Sequence, residues 1–331
     1  MYAIFSGYVA QLDAKFHKFI EKSYAQSTMQ NFKSIWTKFI QFHIDNNLAI
    51  FPPFEINIRR YFIHLTNTCS AYGTLANYSS AIKLFYQVHG YQVYMSDIHM
   101  QLLMKAAKRQ MSSQSKPKAP IEIPHLKFIM QNTDNNDPSQ QMFLAAIMVA
   151  FFGCLRRSNV VPPSDLLFDS SKHLTRAAIK ILPDSLVLVL PWTKTLQDAS
   201  DVFTVVIAKP QSSPIDPVHI YTQFAINHPV LANDPAFSFY SNGRRSILTQ
   251  STLSKKLKHF LTSMGVAADA YGTHSLRRGG VTLMYASSVA PDMIRAHGTW
   301  KGCSYQKYIS LSHRQKKQPT MAMYNSINAA W

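Results

Sequence analysis

The hydrophobic pattern of this chain changes its period near the middle, and that change limits the folds open to it. Over residues 10–111, apolar side chains recur at helical spacing in four segments, whose starts lie at residues 27–28, 52–53, 75 and 98. Gly90 follows the third segment and is suited to end it. Four such segments predict a small helical bundle over residues 1–112, with an apolar core of its own.

The second half of the chain mixes helices with short strands. Residues 113–121 are rich in Lys, Ser and Pro and lack periodicity, so we interpret them as a linker. Helical segments follow at residues 123–131, 139–153, 217–227 and 252–264, and the second of these is apolar all round, as in a buried helix. Alternating segments at 174–182, 186–192 and 202–208 predict three strands. The predicted fold class is therefore mainly α with a small antiparallel β-sheet.

Capping residues mark the ends of several predicted helices. Ser27 and Thr28 are candidate N-caps for the first helix, and Asp216 and Ser251 for two later ones. Gly265 is placed to end the helix that Ser251 begins.

Basic residues outnumber acidic residues by two to one. The chain has 34 Lys and Arg against 17 Asp and Glu, a net charge of +17. Both halves share the excess, with 11 basic against 5 acidic residues before Ser112 and 23 against 12 from there on. An excess spread over two folded halves, and not collected in a tail, favours a long surface laid against nucleic acid.

Cysteine usage and hydropathy indicate the compartment. Cys69, Cys154 and Cys303 are odd in number and form no C-x-x-C, so we expect neither a disulfide framework nor a structural zinc site. The start MYAIFSGYVA lacks a signal-peptide pattern, and the most apolar run, residues 142–152, is too short to span a bilayer. We expect an intracellular protein with no membrane partner, nuclear if the source is eukaryotic. The runs KKLKH and RQKKQ fit nuclear import signals and ordinary surface about equally well.

The strongest functional signal lies in residues 271–310, YGTHSLRRGGVTLMYASSVAPDMIRAHGTWKGCSYQKYIS. His274 and Arg277 are three apart on a predicted first helical turn, which Thr273 is placed to cap, so both can point at one anion beside the free N–H groups of the helix start. Taken alone, H-x-x-R usually marks a solvated helix face. The signal strengthens because Arg156 follows the buried helix upstream.

Further residues complete the pattern. In chain order the candidates are Arg156, Lys194 at the mouth of the second predicted hairpin, His274, Arg277, Trp300 and Tyr308. The arrangement resembles the tyrosine recombinases, the phage integrase type of DNA strand-exchange enzyme. HSLRRGG followed by HGTWKGCSYQKYI is most similar to the recombinases of Crypton and DIRS-like mobile elements. The resemblance covers nearly the whole chain and implies a helical, SAM-like core-binding domain (1–112) and an α+β catalytic domain (122–331).

The resemblance implies that a tyrosine attacks a DNA backbone phosphorus and forms a 3′-phosphotyrosyl link. Tyr308 would be the nucleophile, while Arg156 and Arg277 would hold the non-bridging oxygens through their planar forks. Lys194 would be the general acid toward the leaving 5′ oxygen.

Two further residues would assist the reaction. His274 would accept or relay the tyrosine proton, and Trp300 would donate its indole N–H to the phosphate or support the pocket. No metal or other cofactor is implied, because the acids of the second half are scattered and not clustered as two-metal chemistry requires. His274 and His297 have no third ligand at suitable spacing.

Two departures from the family pattern affect these assignments. Asn159 stands where many members carry an acidic residue. Trp300 precedes Tyr308 by eight positions, one fewer than in many phage members, which keeps Tyr305 open as a nucleophile. The mobile-element members share the shorter spacing, which favours Tyr308 and leaves Tyr305, like Tyr271, a packing role.

Fourteen further basic residues are candidate contacts to the DNA backbone. They are Lys33, Lys38, Arg59, Arg60, Lys83, Lys105, Lys108, Arg109, Lys116, Lys118, Arg157, Lys255, Lys256 and Arg278. The implied partners are double-stranded DNA and further copies of the chain, from dimer to tetramer. An apolar stripe in the tail, residues 311–331, is predicted to dock on a neighbouring subunit.

Two other functions stay open. A host-adopted DNA-binding protein would keep the fold without catalysis, but it has no need of Tyr308 beside Lys194 and two arginines. A relaxing topoisomerase shares the chemistry and would act as a monomer, but the recombinase-like first domain disfavours it.

Overall fold

The computed structural model describes residues 23–111, 117–191, 203–300 and 302–311, together with Tyr8, residues 11–12, 14–16 and 19, and residues 315, 317, 320, 321 and 323. The chain divides into two compact units, Met1–Lys116 and Pro117–Trp331. Each has a separate buried core. Within the described ranges, no helix is both long enough and apolar enough to cross a membrane.

The N-terminal unit contains the four predicted helices. They are α1 (Gln26–Asp45), α2 (Glu55–Thr68), α3 (Tyr72–Val88) and α4 (Ile98–Gln110). Phe39 of α1 is buried against the rings of Tyr61, Phe85 and Tyr86, at centroid distances of 5.1, 5.9 and 5.9 Å. Each such aromatic contributes about 1.5–3 kcal/mol by leaving water. The predicted bundle is confirmed, and most aromatic residues of its helices lie in the core.

Helix boundaries in this unit differ from prediction mainly at their starts. Ser27 and Thr28 do not cap α1, because the helix already begins at Gln26, with Ala25 at the N-cap and no side-chain cap. The Ala25 carbonyl accepts the N–H of Thr28 instead. Gly90 adopts φ +80° just after α3, which confirms it as the stop.

The C-terminal unit is α+β. Its elements are α5 (Ile123–Gln131), α6 (Pro138–Phe152), α7 (Arg157–Val160), β1 (Ile179–Ile181), β2 (Ser185–Leu190), β3 (Phe203–Ala208), α8 (Pro217–Asn227), β4 (Ser238–Ser241), β5 (Arg244–Ile247), α9 (Gln250–Ser263), α10 (His274–Ala286) and α11 (Pro291–His297), with 3₁₀ turns at Ala268–Ala270 and Cys303–Tyr308. Ten consecutive residues of α6, from Met142 to Phe151, are buried. This confirms the prediction that the segment is a buried helix.

The predicted three-stranded sheet is present. It is antiparallel in the order β1-β2-β3, and Leu188 of β2 lies between Ile179 and Val205. The first strand was predicted too long: it begins at Ile179 because the preceding residues turn back, with the Ala178 N–H donating to the Thr175 carbonyl. Thr175 itself forms an isolated bridge to Pro235.

A second hairpin, β4–β5, was not predicted. Its strands pair from Ser238–Ile247 to Ser241–Arg244. Asn242 and Gly243 both have positive φ, 50° and 72°, as a two-residue type I′ turn requires. The Asn-Gly dipeptide is the sequence signal that could have found it.

The predicted caps in this unit are partly correct. Asp216 caps α8 by accepting the N–H groups of Val218 and His219. Ser251 does not cap α9, because the helix starts one position before it and Thr249 accepts the Thr252 N–H. Gly265 follows α9 with φ +81°, as predicted.

Candidate active site

Two helix C-termini of the same design form the floor of the site. α6 ends at Gly153, and Cys154 turns the chain with φ +48° while the Leu155 N–H donates to the Ala150 carbonyl. This 6→1 bond is the Schellman arrangement, which normally places glycine at the left-handed position. Here Cys154 occupies that position at a conformational cost of about 1–2 kcal/mol.

The second terminus repeats the arrangement at the end of α11. Gly298 is the C-cap, Thr299 has φ +58°, and the Trp300 N–H donates to the Arg295 carbonyl at 3.0 Å. A β-branched residue at positive φ is unusual and stores backbone strain. His297 joins the two termini, since its Nε2 donates to the Phe152 carbonyl at 2.7 Å.

Paired glycines let α10 approach α6 closely. A Cβ on Gly279 would collide with the Ile121 carbonyl and lie 2.7 Å from the Phe151 ring. A Cβ on Gly280 would collide with the Phe151 carbonyl and lie 2.7 Å from the sulfur of Cys154. The Gly-Gly pair of HSLRRGG therefore brings Arg277, one turn earlier, onto the end of α6.

Arg277 bridges the two helix termini. Its Nη1 donates to the Cys154 carbonyl and its Nη2 to the Gly298 carbonyl at 2.7 Å. Only 2% of the residue is exposed, and the face of Trp300 covers the guanidinium at 3.7 Å from the ring centroid. A cation over an indole in a desolvated site contributes about 2 kcal/mol.

Electrostatics in this pocket are set mainly by burial. The pKa of Arg277 is lowered to about 10, mainly by burial and next by the charge of Arg156, while Tyr308 opposes both effects. The guanidinium still stays charged at neutral pH. Burial also raises the pKa of the Cys154 thiol to about 12, against the opposing charge of Arg277. This thiol is therefore protonated and unreactive.

Arg156 is the less constrained of the two arginines. It is half-buried at the N-cap of α7, and no acceptor among the described residues contacts its buried Nη1. Burial lowers its pKa and the neighbouring Tyr308 raises it. Two guanidinium groups and one phenol thus share a single pocket, with at least one N–H unused.

Two aromatic rings, those of Trp300 and Tyr308, lie next to the Arg277 guanidinium. The Tyr308 ring centroid is 5.4 Å from the guanidinium carbon and 5.5 Å from the Trp300 ring. Tyr305 is buried, and its ring centroid is 6.1 Å from that of Trp300. A Cβ on Gly298 would collide with the indole, so glycine is required there for Trp300 to fit. Tyr308 is half-exposed and next to both arginines, whereas Tyr305 is core.

Three residues predicted at the site are not among the described residues that surround Arg277. His274 is the exposed first residue of α10. Thr273 lies at the N-cap position but its side chain makes no cap bond, because its backbone is already helical (φ −64°, ψ −23°), and the Ser275 hydroxyl accepts the Gly272 N–H instead. Lys194 lies outside the described residues; β2 and β3, which flank it in sequence, are paired up to Leu190 and Phe203.

Arg277 donates one N–H from each terminal nitrogen to a backbone carbonyl, and its buried Nε has no partner among the described residues. Its role in holding phosphate oxygens stays a prediction. The indole of Trp300 lies flat on Arg277, which favours the supporting role over the phosphate-donating one. Among the described residues, no group of three or more His, Cys, Asp or Glu is arranged to hold a metal ion.

The candidate DNA-contacting residues vary in accessibility. The exposed candidates are Lys33, Lys38, Arg60, Lys83, Lys105, Lys108, Arg109, Lys118, Arg157 and Lys255. The half-buried ones are Arg59, Lys256 and Arg278. Lys116 lies outside the described residues. Arg59 is the weakest candidate, because its guanidinium is paired with Glu55 at 2.8 Å and Asp97 at 3.3 Å. Lys118 donates to the Asp269 carbonyl.

Sequence reasoning missed one contact beside Tyr308. The Thr282 hydroxyl donates to the Tyr308 carbonyl at 3.2 Å and accepts the Ser310 N–H at 3.1 Å. A threonine within a helix pattern carries no signal of such a contact.

The architecture is similar to solved structures of integrases and of a site-specific recombinase. No protein-family model and no curated protein matches the chain. A Tn1549 transposon integrase in complex with circular intermediate DNA is 14% identical, over 95% of this chain and 98% of that one, with a TM-score of 0.58. XerH site-specific recombinase bound to its difH substrate in a pre-cleavage complex is 12% identical, over 88% and 78%, with a TM-score of 0.57. A lambda integrase dimer bound to a COC′ core site is 13% identical, over 92% and 96%, with a TM-score of 0.52. The chain has the tyrosine recombinase fold.

Proposed function

We propose that this protein is a site-specific DNA recombinase or transposase, which cleaves and rejoins strands through a 3′-phosphotyrosyl intermediate to excise and integrate a mobile element. The observation that carries the proposal is the pocket in which Tyr308 lies beside the guanidinium groups of Arg156 and Arg277. A protein that only binds DNA has no use for a half-exposed phenol beside one buried and one half-buried guanidinium group.

The proposed reaction exchanges one phosphate ester for another. The Tyr308 oxygen attacks the backbone phosphorus, the bond from phosphorus to the 5′ oxygen breaks, and the 5′ oxygen takes up a proton. The phosphotyrosyl link keeps the energy of the broken phosphate ester bond. A 5′ hydroxyl can therefore attack this link and rejoin the strand. His274 is the proposed acceptor of the phenol proton and Lys194 the proposed donor to the leaving oxygen.

The two arginines have different proposed roles. Arg156 has an unused buried N–H and is suited to donate directly to a non-bridging oxygen. Arg277, held by two carbonyls, supplies a fixed positive charge in a site shielded from water, where charge stabilisation is strongest. Loss of a direct donor to developing negative charge typically slows chemistry by about 10²–10³.

Duplex DNA and further copies of the chain are the proposed partners. Support comes from the exposed lysines and arginines of both units, the net charge of +17, and the DNA present in the Tn1549 integrase, XerH and lambda integrase complexes. Because the tyrosine recombinase fold alone does not establish catalysis, a DNA-binding protein without strand cleavage is the competing function.

A nicked suicide DNA substrate separates the two functions. Cleavage beside the nick releases a short fragment, so the covalent protein–DNA complex accumulates and is resolved by denaturing electrophoresis. Wild type should give this band, Tyr308→Phe should give none, and Tyr305→Phe is the matched control with a phenol removed three residues away. A band that survives in Tyr308→Phe would refute the assignment of the nucleophile. Binding without any band for wild type would favour the DNA-binding protein.

A further inference from the structure

Thr282 holds the backbone on both sides of the peptide that follows Tyr308. Its hydroxyl donates to the Tyr308 carbonyl at 3.2 Å and accepts the Ser310 N–H at 3.1 Å, so one oxygen uses both its donor and an acceptor position. The two partners bracket Ile309, where the 3₁₀ turn has ended and the chain is extended. These two bonds fix the position at which Tyr308 leaves the turn.

The helix that bears Thr282 also bears Arg277. The two residues are five apart on α10, about 7.5 Å along the helix axis. α10 is itself held on α6 by the close approach of Gly279 and Gly280. A single rigid element therefore sets the position of the Arg277 guanidinium through one side chain and the Tyr308 backbone through another.

Few other contacts hold Tyr308 in position. The Tyr308 ring lies tilted at 57° to the Trp300 ring and 5.4 Å from the Arg277 guanidinium carbon, and ring contacts of this kind tolerate small shifts of the ring. Ile309 and Tyr308 pack only at the edge of the small core formed by Cys154, Val281, Ile294, Trp300 and Tyr305. Directional bonds, unlike these apolar contacts, define a register to a few tenths of an ångström.

We propose that Thr282 is a positioning residue for Tyr308, acting on the rate of strand cleavage and not on DNA affinity. The proposal rests on the proposed function, because it needs Tyr308 to be the nucleophile. Geometry this close to the reacting atom has large kinetic effects: a displacement of about 1 Å costs on the order of 10²-fold in rate.

The test compares Thr282→Val with Thr282→Ser in the full-length protein. Valine keeps the shape and removes both hydrogen bonds, whereas serine keeps the hydroxyl. Thr133→Val is the matched control, because Thr133 is a buried threonine whose hydroxyl donates to the Ile129 carbonyl at 2.7 Å, at the end of α5. The readouts are the rate of covalent complex formation at saturating suicide substrate, the Kd for the same DNA, and hydrogen exchange of the Ser310 amide.

Thr282→Val should form the covalent complex at least about tenfold more slowly, with Kd within twofold of wild type and faster exchange at Ser310. Thr282→Ser and Thr133→Val should cleave at close to the wild-type rate. Equal rates for wild type and Thr282→Val would overturn the proposal while leaving the recombinase function intact. A parallel loss of affinity in Thr282→Val, unrescued by serine, would also overturn it in favour of a general structural role. If wild type forms no complex, the proposed function itself fails, and the role of Thr282 falls with it.

Discussion

Replacing Arg156 by methionine should stabilise the protein while removing its proposed activity. The Arg156 side chain is half-buried, its Nη1 has no acceptor among the described residues, and its charge opposes that of Arg277 in the same pocket. Methionine fills similar volume, so the apolar contacts of the arginine stem are largely kept. The substitution therefore removes a buried N–H that has no acceptor and a repulsion between two positive charges, and it opens no cavity.

The magnitude follows from these terms. A buried N–H without an acceptor costs about 1–3 kcal/mol, and relief from repulsion adds to the gain. Partial exposure of the side chain reduces both, so we expect a net stabilisation of about 1 kcal/mol, or about 2–4 °C in Tm for a unit of this size. Strand cleavage should meanwhile fall by about 10²–10³. Opposite effects on stability and activity are typical of a residue retained for function.

Thermal and urea unfolding of the full-length protein measure the first effect and the suicide substrate measures the second. Arg157→Met is the stability control, because Arg157 is the exposed neighbour and its loss should change the unfolding free energy by less than about 0.5 kcal/mol. A loss of more than 1 kcal/mol in Arg156→Met would refute the reasoning, since it would show that Arg156 is a satisfied structural residue.

Three further predictions concern the floor of the site. Arg277→Met should destabilise the protein by about 2 kcal/mol or more, measured by urea unfolding, because the buried carbonyls of Cys154 and Gly298 both lose a charged donor; unchanged stability would contradict the bridge. Gly298→Ala should displace the indole of Trp300 and shift its fluorescence, with loss of strand cleavage but folding retained; an unshifted spectrum would show that the backbone absorbs the added methyl. At pH 8 iodoacetamide should modify exposed Cys303 and spare Cys154, whose burial raises its pKa to about 12, as mass spectrometry of the native protein would show; fast labelling of Cys154 would mean that the end of α6 opens.

The fold could be predicted largely from hydrophobic period. Helical spacing located the four-helix bundle, the all-apolar run located α6, and alternation located the sheet, because each pattern reports directly which face is buried. The predicted ends of helices and strands were less accurate where backbone hydrogen bonds, and not side-chain caps or apolar periodicity, determine them. The N-cap of α1 is Ala25 with no side-chain cap, and β1 is shortened by a turn at Thr175.

The site could be predicted in composition but not in contacts. Of the six residues predicted as a group, four lie close together in the structure: Arg156, Arg277, Trp300 and Tyr308. His274 is exposed at the start of α10, and Lys194 lies outside the described residues. Sequence could not show that Arg277 donates to two backbone carbonyls, because no pattern marks helix termini that meet in space. The strained conformations of Cys154 and Thr299 are similarly set by tertiary packing, since both residue types disfavour positive φ.

The most direct measurement is the mass-spectrometric location of the tyrosine that carries DNA. After reaction with a suicide substrate, nuclease digestion leaves a nucleotide remnant on the protein. Trypsin cuts after Lys301, Lys307 and Arg314, so Tyr305 and Tyr308 belong to different peptides, GCSYQK and YISLSHR. If the adduct hinders cleavage at Lys307, fragment ions of the joined peptide still separate the two positions. The account predicts the remnant on Tyr308; a remnant on Tyr305, or none on any peptide although DNA is bound, would contradict it.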